Sequence, residues 1–114
     1  MVDTEGYQRG IDLFNRGEFF NAHEMLEDVW RTAPGEERKF LQGLIQVAVA
    51  FHHHSRGNVA GARSVLARAR KNLARYPDHF AGVHLAELCA ALAQCQVALD
   101  NGTSPPALRV HCDR

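Results

Sequence analysis

A chain of 114 residues suits one domain, since at this size a fold buries roughly 60–70% of the surface its unfolded chain exposes. Apolar residues make up 46% and charged residues 23%, the ordinary balance of a globular protein. The formal net charge is zero, which excludes a global field drawing the chain toward nucleic acid or membrane.

Apolar residues recur at helical spacing throughout, and no alternating run suggests a strand. The first helix is predicted over residues 4–16, with Tyr7, Ile11 and Phe14 on one face and Gly17 ending it. The second runs from Glu18 to Thr32 and stops at the Pro34-Gly35 breaker. The third covers residues 36–55, with Glu36 and Glu37 in the first turn, where they complement the helix dipole. Asn58 is a good N-cap for a fourth helix ending near Pro77. A fifth runs from Asp78 to Asp100 and ends at Asn101-Gly102. The expected architecture is an all-α, compact bundle of about five helices built from antiparallel helix hairpins. It forms a single helical domain over residues 1–103, followed by a loosely packed C-terminal tail over 104–114.

A weak repeat lies at an offset of forty residues: Arg16-Gly17 matches Arg56-Gly57, Ala22 matches Ala62, and Leu26 matches Leu66. Both copies read as helix, tight Gly-containing turn, then a small residue where helices touch. Two copies are too few for a solenoid, so a compact bundle is the better reading.

Location and charge follow from local composition. The start, MVDTEGYQRG, lacks the basic-then-apolar pattern of a targeting signal. The longest apolar stretch, GLIQVAVAF, contains Gln46 and falls far short of the ~20 residues a membrane span requires. Cys89, Cys95 and Cys112 show no Cys-x-x-Cys spacing, which fits a reducing cytoplasm, with Cys89 and Cys95 as small core residues. Residues 1–37 hold nine acids against three bases, and the rest holds four acids against ten bases. Such halves either face each other or are solvated.

The segment FFNAHEMLEDVW carries the main anomaly. On a helical wheel Met25, Val29, Ala22, Leu26, Phe19 and Trp30 fill one arc. His23 and Glu27, four residues apart, sit on its edge, while Glu24, Asp28 and Arg31 occupy the opposite face. A carboxylate on a partly buried surface requires a partner. The third helix is apolar nearly all round, with its polar residues Gln42, Gln46 and His53 on one stripe and His52 pointing elsewhere. That stripe faces either water or a polar group inside the bundle, and meeting His23 and Glu27 would satisfy both helices.

The blocks LFNRGEFFNAHEMLEDVWR and FLQGLIQVAVAFHHHSRGN resemble the family called Domain of Unknown Function family 309. The resemblance covers residues 10–62, about half of the chain, and implies a small all-helical bundle with no settled activity. His23, Glu24, Glu27, Trp30, Gln42, Gly43 and Gln46 match the family pattern as they stand. A histidine near the end of the third helix also belongs to it, and His52, His53 and His54 compete for that place.

Three readings of these residues compete. In the first, His23, Glu27 and a third-helix histidine (His52 or His53), with Gln42 or Gln46 nearby, hold a divalent metal or a small ligand. An open coordination position would then permit hydrolysis by an activated water, so the chain's standing as an enzyme stays open. In the second, the same groups form a structural network, with Trp30 filling the core and its ring nitrogen seeking an acceptor such as Glu27. In the third, the fourth helix is an interaction surface whose Arg68, Lys71 and Arg75 share an outer face for phosphate or an acidic partner. No aromatic residues interleave with those bases, which disfavours nucleic acid. Exposed apolar residues on the fifth helix would suit a homodimer. Phosphate-loop, nucleophile-elbow and dinucleotide fingerprints are all missing from the sequence.

Overall fold

The computed structural model describes residues 4–113. Five helices run along them in order: α1 (Thr4–Asn15), α2 (Phe19–Thr32), α3 (Gly35–Ser55), α4 (Val59–Leu73) and α5 (Leu85–Asp100). Each packs on the next, so α3 lies between α2 and α4. The all-helical bundle read from the hydrophobic periodicity is the observed fold.

The forty-residue repeat corresponds to one device used twice. After α1, the Gly17 amide donates to the Phe14 carbonyl and the Glu18 amide to the Leu13 carbonyl. After α3, Gly57 donates to His54 and Asn58 to His53 in the same pattern. Gly17 and Gly57 have φ of +83° and +79°, the left-handed conformation this C-terminal cap requires. Ala22 and Ala62 then sit fully buried where the returning helix touches its partner. Asn58 also caps α4, its Oδ1 accepting from the Gly61 amide at 2.9 Å.

Two expectations are corrected. The fifth helix begins at Leu85 rather than Asp78, because residues 79–84 form a β-hairpin, β1 (His79–Phe80) paired with β2 (Val83–His84). Its two central residues, Ala81 and Gly82, both have positive φ (49° and 80°), as a two-residue hairpin turn demands. The Tyr7 hydroxyl donates to the Ala81 carbonyl at 2.8 Å, so α1 holds the turn from outside.

The tail is the second correction. Val110 is buried, and Cys112 makes an isolated antiparallel bridge to Val83. The His84 amide donates to the His111 carbonyl at 3.0 Å and the Asp113 amide to the Gly82 carbonyl at 2.7 Å. The reason is a side chain standing in for backbone: Asn15 of α1 offers one donor and one acceptor to Val110. Among the described residues no helix is long and apolar enough to cross a membrane. Cys89, Cys95 and Cys112 form no disulfide, and burial pushes the thiols of Cys89 and Cys95 up.

Candidate functional site

Helix α2 buries Ala22, Leu26 and Val29, which leaves His23 and Glu27 at the margin of its inner face. Their side chains retain 26% and 39% exposure, so both are shielded and both are reachable from solvent. His23 Nε2 lies 2.9 Å from Glu27 Oε2, while Arg31 approaches the other carboxylate oxygen at 3.6 Å. Glu27 is therefore gripped on both oxygens by neighbours one helical turn away. Phe20, one of the exposed large hydrophobic residues, has its ring 5.7 Å from His23 and 5.4 Å from His52 of α3. An aromatic ring thus stands between two imidazoles across the α2–α3 seam. Glu24 is exposed on the outer side.

The glutamine stripe does not join this group. Gln46 Oε1 accepts from Asn72 Nδ2 of α4 at 2.8 Å, and Gln42, one turn earlier, is half-buried on the same side. A central helix has two flanking partners, and here the stripe faces α4 rather than α2. His53 turns to the local Asn58, with Nδ1 3.3 Å from its Nδ2, while His52 is the α3 histidine that reaches the α2 face. Trp30 is half-buried, with the Arg38 guanidinium 4.1 Å above its ring. Its ring nitrogen is buried and donates no bond to Glu27.

Arg68 and Lys71 on the basic helix, and Arg75 just past its end, are all exposed. Arg68 donates to Ser64 within α4, and Arg75 is exposed near the helix end. Lys71 also lines an open groove of about 720 Å³ between α4 and α5 together with Arg63, Arg70 and Gln96. Arg63 Nε lies 3.4 Å from Asp100 Oδ1. Gln96 is buried, its Nε2 donating to the Arg63 carbonyl and to Asp100, while its Oε1 has no partner.

A second cluster was not anticipated from sequence. His79 and His84 are directly opposed in the hairpin, and Asp113 crosses beside them. His79 Nε2 lies 2.8 Å from Asp113 Oδ2 and His84 Nε2 2.8 Å from Oδ1. The hydrogen bond to Asp113 raises the His84 pKa, and the two imidazoles lower that of Asp113. Beside them His111 Nδ1 pairs with Glu87 at 2.9 Å. Among the described residues this trio is the one set of three His, Cys, Asp or Glu side chains close enough to share a metal ion. His84, Glu87, His111 and Cys112 are visible in the sequence as isolated polar residues; only the hairpin and the returning tail assemble them.

Comparison with known proteins now bears on the α2–α3 face. The family model described as a domain of unknown function (DUF309) matches residues 7–65. The chain belongs to this family. The DUF309 match takes in α1, α2, α3 and the start of α4, so it contains His23, Glu27, Trp30 and His52 and leaves out the His79 cluster. An uncharacterized protein of Aquifex aeolicus (strain VF5) is 37% identical over 97 residues, covering 84% of this chain and 29% of the relative. The uncharacterized protein YpuF of Bacillus subtilis (strain 168) is 43% identical over 60 residues, 52% of this chain and 34% of the relative. This DUF309 chain spans about a third of the length of the curated relatives it matches.

Proposed function

We propose that the chain is a helical binding module of the cytoplasm whose ligand site is the α2–α3 face around His23 and Glu27. The single observation behind this reading is the 2.9 Å contact between His23 Nε2 and Glu27 Oε2 on a face that stays open to solvent. A surface pair four residues apart adds only about 0.3–0.5 kcal/mol to stability, so the fold gains little from it. What the pair does provide is an oriented carboxylate and imidazole beside the rings of Phe20 and His52. That combination suits a small organic ligand with a hydrogen-bond donor next to an apolar plane. A divalent ion would find two donors here, His23 and Glu27, and would have to draw the rest of its shell from ligand or water oxygens. The organic ligand is the better fit for that reason. Three cysteines outside any disulfide support a reducing compartment, and the greater length of the relatives supports a module that works beside other segments.

A ligand-observed NMR screen of small polar fragments tests this reading. Binders are expected whose signals are lost with His23→Ala and Glu27→Gln and kept with Arg70→Ala. Binders indifferent to both α2 substitutions, or no binders at all, would overturn it.

A second reading has its own observation. Gln96, whose buried Oε1 has no partner, lines the α4–α5 groove beside Arg70 and Lys71, so that groove suits a ligand joining an anionic group to a donor. Turning the Gln96 amide over would set its oxygen against the Arg63 carbonyl and the Asp100 carboxylate, so the orphan acceptor is the sound assignment. Fragments responding to Arg70→Ala and Lys71→Ala instead would move the site there.

A further inference from the structure

The hairpin and the returning C-terminal segment together make a donor set with no role in the α2–α3 face. His79 and His84 are a cross-strand pair, and such pairs project their side chains from the same face of the ladder. Their rings stand 5.2 Å apart. Asp113 is fixed beside them by the Val83–Cys112 bridge and by its own amide bond to the Gly82 carbonyl. Three backbone segments therefore converge with two imidazole nitrogens and a carboxylate within 4.8 Å of one another.

We propose that His79, His84 and Asp113 bind one divalent transition-metal ion of the zinc class. Two neutral imidazoles and a carboxylate are donors that zinc accepts in tetrahedral sites with a water in the remaining position. Imidazole ligands disfavour magnesium and calcium, which take oxygen donors. Tetrahedral bonds of about 2.0–2.2 Å set ligand atoms roughly 3.3 Å apart, so the present 2.8 Å contact between the coordinating carboxylate oxygen and its imidazole opens by about half an ångström when the ion enters. All three side chains are exposed, which leaves them free to make that adjustment. In the exchange the protons on the coordinating imidazole nitrogens leave, and the ion takes those two nitrogens and one carboxylate oxygen.

The consequence is mechanical. The C-terminal segment meets the hairpin through short backbone pairing, and an ion held by both would clip them together. Binding that favours the folded state raises its stability by mass action.

Equilibrium dialysis of the tag-free chain against Zn²⁺, followed by amide spectra of the loaded protein, tests the site. The expected result is one equivalent bound, with resonance changes centred on residues 79–84 and 110–113. Affinity should fall by about tenfold or more in each of His79→Ala, His84→Ala and Asp113→Asn, which keep the fold because these side chains are exposed. Zn²⁺ should raise the melting temperature of the parent chain and leave that of Asp113→Asn in place. His23→Ala and His53→Ala should bind as the parent does, which separates this site from the α2–α3 face and from the His52–His54 run. Less than one equivalent, changes centred on His52–His54, or undiminished affinity in His79→Ala, His84→Ala and Asp113→Asn would overturn the proposal.

Discussion

Asn15 and Val110 bond to each other twice across 95 residues of chain: the Asn15 amide donates to the Val110 carbonyl at 2.9 Å, and its oxygen accepts from the Val110 amide at 2.8 Å. One side chain thus acts as a strand edge for the C-terminal segment. Replacing it by alanine removes both bonds and leaves a partly buried backbone donor and acceptor unpaired. At about 1 kcal/mol per bond the expected loss is about 2 kcal/mol. Urea unfolding gives the value, and hydrogen exchange should show residues 108–113 losing protection ahead of the helices.

Gly43 and Leu73 set the approach of α3 to α4. A methyl group at Gly43 would lie 2.6 Å from Leu73 Cδ2, and Leu73 is fully buried. Helix propensity favours alanine by about 1 kcal/mol, and overpacking of a tight core costs about 1–3 kcal/mol. Gly43→Ala should therefore destabilise the fold by about 1 kcal/mol. In a Leu73→Ala background the same substitution should become neutral or stabilising, which a double-mutant cycle reads directly.

Tyr7 makes stability sensitive to high pH. Burial, with the charges of Cys112 and Glu37, holds its phenol far above the ordinary value of 10.0. The folded state keeps the proton that the unfolded chain releases, so stability is whole below about pH 10 and falls as pH rises beyond it. The slope approaches about 1.4 kcal/mol per pH unit. Tyr7→Phe loses about 1 kcal/mol at neutral pH with its bond to the Ala81 carbonyl, and should show a shallower alkaline decline. Urea midpoints between neutral and alkaline pH compare the two slopes.

The His23–Glu27 pair should matter little to folding. His23→Ala and Glu27→Gln are each expected to change the unfolding free energy by less than about 0.5 kcal/mol. A loss of several times that size would mark the pair as a structural network joining the helices.

The helical part of this fold is written locally. Each hairpin carries its own stop signal, Arg16-Gly17 or Arg56-Gly57, and a buried alanine one turn into the return helix. The pairing of His23 with Glu27 is equally local, being fixed by helical spacing. The orientation of Gln46 was not legible, because a wheel gives a direction along α3 and does not say whether α2 or α4 stands there. The hairpin at 79–84 was hidden for another reason. Its Ala81-Gly82 turn lacks the Asn-Gly or Asp-Gly signal, and it is secured by Tyr7 from the far end of the chain. The trio of His79, His84 and Asp113 depends on that hairpin and on Asn15 anchoring the tail, so no local pattern announces it.

The most direct test of the α2–α3 site is an amide chemical-shift map of the isotope-labelled chain titrated with the fragments that bind it. The account predicts that Phe20, His23, Glu27 and His52 move together while Arg63, Arg70 and Gln96 stay in place. Shifts gathered on the α4–α5 groove, with the α2 resonances unmoved, would contradict it.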